Sequence, residues 1–342
     1  MKSFHFIQPR TLDAAFAAWT PGAAWLGGGT NLVDLMKTGA VQPDRVIDLS
    51  RLPGLRGIDT LADGAMRIGA LVSNADLARD TGFAGRYPMV AEALLSGASG
   101  QLRNAATVAG NIMQYPRDAF FRDLAWQQNE APGGLPAILG TGGTHAAVHP
   151  SDFCVPLVAL DAVVELQGPS GPREMALADL LLLPGEGDGA RTALRPGELI
   201  LALRLPAGTE AFAGHSRYLK VRDRTSFAFA QSSAAACLRI EGGRIAQARL
   251  ALGAVAPKPW RVAEAEVILA GQAPHPDLFR RAAEAALAGA QAPDGAAWRI
   301  DLARRTTARA LALAMAAAGT PAQMPALPAS PFAPQAGDIA HA

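Results

Sequence analysis

Cysteine is nearly absent from this chain of 342 residues, which contains only Cys154 and Cys237. Two thiolates cannot supply the four ligands of an ordinary iron–sulfur cluster or structural zinc site within one chain. Because free cysteine is among the most buried residue types, we expect both to be small apolar residues of the core. Long apolar runs are missing as well: residues 180–184 and 308–318 fall short of the roughly 18–20 residues that a membrane-spanning helix needs.

An excess of charge of either sign is also lacking. The 31 Lys and Arg residues oppose 30 Asp and Glu residues, which gives a formal net charge of +1. This balance offers no basic field to hold a nucleic acid and argues against such a partner. Lysine is rare and occurs only at positions 2, 37, 220 and 258. Lys220 lies in an alternating, strand-like segment, where it is either a solvated residue or a fixed positive charge near an electron-accepting ring.

Motifs for catalysis by protein side chains are missing too. The sequence has no H-E-x-x-H motif, Walker loop or G-x-S-x-G elbow, and its six histidines lack the spacing of metal ligands. We therefore expect no catalytic side chain and no metal site here, and a bound cofactor that supplies the chemistry. Residues 1–6 lack the apolar segment of a secretory signal. Localisation stays open between cytoplasm and periplasm, with export beside a partner subunit as one alternative.

The order of predicted elements indicates an α+β protein with more than one lobe. Residues 1–55 are typical of a β-α-β unit, with a helix capped by Thr11 and a strand at 45–48. A second lobe begins at residue 56, and strand-like segments followed by helical spacing predict an α+β domain over 173–317. We place the boundary between them near 168–172. Residues 318–342 are rich in Ala and Pro and predict a flexible tail.

Two segments of small residues are candidates for ligand binding. Residues 26–32 run from a predicted strand through three glycines to a helix start, and glycine lets the backbone approach a pyrophosphate. The same run also suits a plain tight turn. Residues 102–113 combine Thr and Asn side chains with little bulk, and the two segments together favour one ligand held from two sides. Residues 149–152 precede an apolar helix and are interpreted locally as an N-cap formed by Ser151 or Asp152.

Taken together, these segments resemble the FAD-binding subunit of the molybdenum hydroxylases, the group of xanthine dehydrogenase, carbon monoxide dehydrogenase and aldehyde oxidoreductase. The resemblance is collinear from residue 1 to about 315. Its matching segments are 4–9, 27–32, 68–70 with Leu77 downstream, 103–112, 216–224, and 252–256 followed by Pro259 and Arg261. It implies a two-lobe FAD-binding fold of the vanillyl-alcohol-oxidase (PCMH) type. An α+β C-terminal domain like that of the carbon monoxide dehydrogenase flavoprotein would follow.

The resemblance also implies a set of cofactor-binding residues. Those expected around the pyrophosphate are Leu26, Gly27, Gly28, Gly29, Thr30, Asn31 and Leu32. Those expected near the flavin and phosphates are Ala106, Thr107, Gly110 and Asn111, with Asp152 as a hydrogen-bonding aspartate, Ile200 as an apolar contact and Lys220 beside the flavin. A positive charge there would stabilise a reduced, anionic flavin.

Within the group, residues 149–162 look most like the periplasmic aldehyde oxidoreductase branch, whose insertion before this segment holds a [4Fe–4S] cluster on four cysteines. Here the insertion, residues 114–148, contains no cysteine. We therefore predict that this chain carries no [4Fe–4S] cluster. The insertion would instead be held by packing of Tyr115, Phe120, Phe121 and Trp126 or by a partner subunit.

The function implied is electron transfer. The chain would be the FAD-binding subunit of a heterotrimeric molybdenum hydroxylase, with a small subunit carrying [2Fe–2S] clusters and a large subunit carrying a molybdenum-pterin cofactor. An aldehyde, xanthine or another N-heterocycle would be oxidised on the large subunit. One alternative is a stand-alone FAD oxidase or reductase of the same fold, and another is a binding module in which the glycine runs are only turns.

Overall fold

The computed structural model describes residues 1–118, 121, 136–142, 147–187, 190–293 and 295–317. Its N-terminal unit is a three-stranded parallel sheet of order β1-β3-β2 with two short helices. The elements are β1 (His5–Ile7), α1 (Leu12–Ala18), β2 (Ala23–Leu26), α2 (Leu32–Thr38) and β3 (Arg45–Asp48). The predicted β-α-β unit and the Thr11 cap are confirmed, since Thr11 Oγ1 accepts a 3.2 Å hydrogen bond from the Ala14 amide.

A five-stranded antiparallel sheet of order β4-β5-β8-β6-β7 forms the second unit. Its strands are β4 (Ile58–Thr60), β5 (Met66–Gly69), β6 (Val163–Gly168), β7 (Gly171–Ala176) and β8 (Leu199–Leu205). Its helices are α3 (Asn74–Arg79), α4 (Thr81–Arg86), α5 (Pro88–Ser96), α6 (Gly100–Ala105), α7 (Val108–Ile112), α8 (Cys154–Ala159) and α9 (Leu177–Leu180). All of these helices except α6 contribute side chains to the main hydrophobic core, together with strands of this sheet.

The third unit is a four-stranded antiparallel sheet of order β12-β11-β10-β9 backed by three helices. The elements are β9 (Ser216–Val221), β10 (Ser232–Glu241), β11 (Arg244–Gly253), β12 (Trp260–Arg261), α10 (Ala263–Leu269), α11 (Pro276–Ala286) and α12 (Trp298–Ala316). Side chains of β10 alternate between two cores, because Ala234 and Ala236 face these helices whereas Ala235 and Cys237 join the core of the second unit. Both faces of this strand are thus buried.

The five-stranded sheet extends past the boundary expected near residue 172. Residue 172 lies at the start of β7, which forms a hairpin with β6, and β8 then pairs with both β5 and β6. We propose that the second unit ends after β8 and that the third begins with β9. A 3₁₀ helix at Thr209–His215 connects them. The tail predicted at 318–342 lies outside the described residues.

Both cysteines lie in the interior, as predicted. Cys154 and Cys237 have no solvent-exposed surface and form no disulfide. Burial raises the pKa of the Cys154 thiol to about 12, so the thiolate that binds metals is strongly disfavoured. Within the described part of the chain, no helix combines the length and apolarity needed to cross a membrane.

Candidate cofactor site

The two segments of small residues meet in the folded chain. A Cβ atom built at Gly28 would lie 1.8 Å from the Ala105 carbonyl oxygen, and one at Gly27 would lie 2.8 Å from Thr107 Oγ1. At Gly110, a Cβ atom would again come within 2.9 Å of Thr107 Oγ1. Position 28 in particular can hold only glycine, because any Cβ atom there would clash with a backbone atom that cannot move aside.

Asn31 connects the two segments through its side chain. Its Nδ2 lies 3.5 Å from the carbonyl oxygen of Gly110, and its Oδ1 accepts a 2.6 Å hydrogen bond from Arg117. Among the described residues, the backbone N–H groups from Gly27 to Asn31 donate no hydrogen bond to the protein. A glycine loop with free N–H groups is a typical site for an anionic group.

The second segment is fixed to the sheet by local and long-range bonds. Thr107 caps α7 by accepting a 3.3 Å hydrogen bond from the Gly110 amide. The Ala109 amide donates to the carbonyl of Ala70, whose own amide donates to Leu201 on β8. This attachment places the start of α7 next to the strand that carries Ile200.

Ser151 and Asp152 have different roles. Ser151 Oγ accepts a 3.2 Å hydrogen bond from the amide of Cys154, the first residue of α8. The N-cap position itself is occupied by Phe153 without a side-chain hydrogen bond, so the prediction that Ser151 or Asp152 is the N-cap residue is wrong. The same hydroxyl donates to Asn111 Oδ1 at 2.7 Å, which connects this turn to the second small-residue segment. His149 beside them is buried, and burial lowers its pKa to about 4, so it is neutral at physiological pH.

Asp152, Lys220 and Tyr218 form a buried polar triad. Lys220 Nζ donates to Asp152 Oδ2 at 2.7 Å, and the Tyr218 hydroxyl donates to Asp152 Oδ1 at 2.5 Å. The side chain of Lys220 is only 3% exposed and that of Asp152 is 8% exposed. Burial and the charge of Asp152 raise the pKa of Tyr218 well above its ordinary value, which keeps its hydroxyl protonated as a donor. The lysine expected to be special is thus buried and held from two sides.

The end of α5 supports this triad. Lys220 and Arg222 both donate to the Ser96 carbonyl oxygen, at 3.1 and 3.0 Å, and cations are favourable at the free carbonyls of a helix C-terminus. From the same helix, Glu92 accepts a 2.8 Å hydrogen bond from the Tyr218 amide. Burial raises the pKa of Glu92 to about 7.

The structure brings most of the predicted residues into one continuous region. Asn31 in the glycine loop contacts the Gly110 carbonyl, and the next residue, Asn111, is hydrogen-bonded to Ser151. Ser151 is followed in the chain by Asp152, which pairs with Lys220. Leu26 ends β2, Leu32 begins α2, and Gly29 and Thr30 lie between them, with Gly29 at φ +76°. Ala106 is the C-cap residue that follows α6, and its carbonyl accepts a hydrogen bond from the Asn74 amide. Ile200 lies in the core of the second unit and is 5% exposed.

Part of the insertion is also described. Phe121 is 8% exposed and lies under the guanidinium of Arg117, while Tyr115 lies under that of Arg191 at 4.3 Å. The predicted packing residues Phe120 and Trp126 lie outside the described residues.

Sequence reasoning missed the roles of Tyr218 and Arg117. Tyr218 precedes Lys220 by two positions in a predicted strand, so the twofold period of a strand places both side chains on one face. That signal was available. The contact between Arg117 and Asn31 spans 86 positions, and nothing in the local sequence indicates it.

These residues fit a flat, anionic cofactor such as FAD. The glycine loop offers free N–H groups, a Cβ atom is excluded where the two segments meet, and a buried ammonium group lies in the same region. Backbone donors and lysine suit phosphate and flavin oxygens. We therefore find the donor set compatible with the cofactor that the sequence implied.

Comparison with known proteins supports the same conclusion. The family described as FAD binding domain in molybdopterin dehydrogenase matches residues 2–208, and the CO dehydrogenase flavoprotein C-terminal domain matches residues 217–315. The chain is 42% identical to the aldehyde oxidoreductase FAD-binding subunit PaoB of Escherichia coli, over 93% of this chain and 100% of that protein. It is 29% identical to the carbon monoxide dehydrogenase medium chain of Afipia carboxidovorans, over 86% and 89% of the two chains. Carbon monoxide dehydrogenase from Hydrogenophaga pseudoflava, solved without the Mo-pyranopterin moiety, aligns with a TM-score of 0.74 at 28% identity, covering 93% of this chain and 99% of that chain.

Proposed function

Because this chain belongs to the family of FAD-binding subunits of molybdenum hydroxylases, we propose that it is the electron-transfer subunit of a three-subunit aldehyde or N-heterocycle oxidoreductase. The family and the oxidoreductase class rest on matches that together cover nearly the whole described chain. The electron-transfer role, the substrate class and the individual binding residues are the proposal.

The contact between the two small-residue segments carries this proposal. The glycine loop and the 106–111 segment would hold the diphosphate, with Asn31, Thr107 and Asn111 as polar contacts. When bound, FAD would supply a carrier that takes up electrons and passes them on. The protein would exclude water from the carrier and fix the charges around it.

Lys220 would supply the principal fixed positive charge beside the cofactor. Its ammonium group cannot turn away, because Asp152 and the Ser96 carbonyl hold it in a site that is 3% exposed. Tyr218 in turn fixes the carboxylate of Asp152. A cation held at one position in a region of low dielectric favours negative charge on a neighbouring group more than a solvated lysine does.

The partners follow from the same assignment. A small subunit with [2Fe–2S] clusters would deliver electrons, and a large subunit with a molybdenum-pterin cofactor would oxidise the substrate. No side chain of this subunit would then act as a catalytic acid, base or nucleophile. Among the described residues, no group of three or more His, Cys, Asp or Glu side chains is arranged to hold a metal ion.

Purification of the intact complex tests the proposal. We expect a flavin absorption band, molybdenum and iron in the complex, and FAD without iron on this subunit once it is separated. In stopped-flow experiments, aldehyde should still bleach the iron–sulfur bands of a complex stripped of FAD, whereas reduction of an external acceptor should be lost.

Two outcomes of this purification would contradict the proposed function. Purification of a flavin-loaded chain that turns over substrate without partners would support a stand-alone oxidoreductase. A colourless intact complex would refute the cofactor assignment itself.

A further inference from the structure

The insertion at residues 114–148 is pinned at both ends by one residue pair. The Arg117 amide donates to the Val148 carbonyl at 2.8 Å, and the Val148 amide donates back to Arg117 at 3.2 Å. This isolated bridge closes the base of the insertion. The side chain of Arg117 therefore starts from a fixed backbone position.

From that position, the guanidinium reaches the glycine loop. Arg117 Nη2 donates to Asn31 Oδ1 at 2.6 Å, and Asn31 Nδ2 lies 3.5 Å from the Gly110 carbonyl. The guanidinium carbon is 4.3 Å from the ring centre of Phe121 and 5.1 Å from that of Phe229. These cation–π contacts hold the cation in a defined place.

We infer that Arg117, at the base of the insertion, is a positioning residue for the site of the cofactor's diphosphate. The inference rests on the proposed function and deepens it. Arg117 orients the Asn31 amide, because the hydrogen bond at Oδ1 leaves Nδ2 directed toward Gly110 and so sets the spacing of the two loops. The guanidinium is charged at physiological pH, so the hydrogen bond that it donates to Asn31 is charge-assisted. This gives the base of the insertion, a segment without cysteine, a role that needs no iron.

The structure offers a matched control for this inference. Arg191 makes the same kind of contact with the same insertion, at 4.3 Å from the ring centre of Tyr115. Arg191 lines a cavity of about 400 Å³ together with His149, and Asn31 is not among the residues that line this cavity. Replacing Arg191 removes an anchor of the insertion and leaves the contact with the glycine loop in place.

The test measures cofactor affinity in the intact complex. Complexes stripped of FAD and carrying Arg117→Gln, Arg117→Lys or Arg191→Gln are titrated with FAD and, separately, with ADP, which has the diphosphate without the flavin. Loss of one charged hydrogen bond predicts a roughly 10- to 100-fold weaker Kd for both ligands in Arg117→Gln. Arg117→Lys should recover part of the affinity, and Arg191→Gln should bind both ligands within about threefold of wild type.

Three results would overturn the inference while the proposed function stands. The first is that Arg117→Gln binds both ligands with wild-type affinity. The second is that Arg117→Gln and Arg191→Gln weaken binding equally. The third is that Arg117→Gln binds FAD more weakly but binds ADP as wild type does. Melting temperatures of the FAD-free complexes separate binding from folding, because the inference requires the affinity loss to exceed any loss of stability. If the wild-type complex binds no FAD, the proposed function fails instead.

Discussion

Replacement of Lys220 by methionine should destabilise the folded chain strongly. The variant leaves the carboxylate of Asp152, which is 8% exposed, without its cation. Breaking a buried pair in this way costs about 3–5 kcal/mol, whereas an exposed pair is worth about 0–1 kcal/mol. The hydrogen bond from the Tyr218 hydroxyl remains, so we expect a loss of about 3 kcal/mol in the free energy of unfolding.

A double-mutant cycle measures this coupling. Urea unfolding is followed by tryptophan fluorescence for wild type, Lys220→Met, Asp152→Asn and the double variant. Neutralising both partners removes the unpaired charge, so the double variant should regain about 1–2 kcal/mol relative to Lys220→Met. A cost below about 1 kcal/mol for Lys220→Met would show that the pair is solvated and would refute the reasoning.

FAD affinity separates a structural pair from a cofactor contact. If Lys220 contacts the cofactor, the double variant regains stability but still binds FAD weakly. If the double variant binds FAD as tightly as wild type, the placement of Lys220 beside the flavin is wrong, whatever the stability data show.

Two further predictions concern the loops and pH. Gly28→Ala should lose most of its FAD, because the new Cβ atom would lie 1.8 Å from the Ala105 carbonyl, whereas Gly100→Ala, with no atom within 4 Å, should keep it; equal flavin content in both variants would contradict this. Glu92 has its pKa raised by burial from 4.5 to about 7, so the folded state holds a proton that the unfolded chain has released between these values. Wild type should therefore lose up to about 3 kcal/mol of stability as pH rises from about 4.5 to about 7, and Glu92→Gln should flatten that pH profile of urea unfolding.

Local signals in the sequence predicted much of the fold. Apolar spacing and a capping residue define α1, where Thr11 accepts the hydrogen bond expected of an N-cap. The glycine loop was found for a similar reason, since a run of small residues between a strand and a helix limits what the backbone can do there. The resemblance to a family then supplied the order of the domains.

Features that depend on distant partners were less predictable. Asp152 was interpreted locally as a possible cap, yet its carboxylate pairs with Lys220, 68 positions later. The expected boundary near residue 172 followed a polar, glycine-containing turn, but that turn is the hairpin between β6 and β7 within one sheet. A tight turn in the sequence does not reveal whether the next strand, here β8, returns to the same sheet.

The buried triad also joins two structural units, which has a consequence for how the cofactor is retained. Asp152 and Ser96 belong to the unit built on the five-stranded sheet, whereas Tyr218 and Lys220 lie on β9 of the next sheet. Any separation of these two units would expose the triad to solvent and would at the same time break the ion pair between Asp152 and Lys220. A ligand that binds only the closed arrangement stabilises it by mass action, so FAD binding and the packing of the two units should be coupled. Removal of FAD should then loosen the contact between β9 and α5 before either unit unfolds.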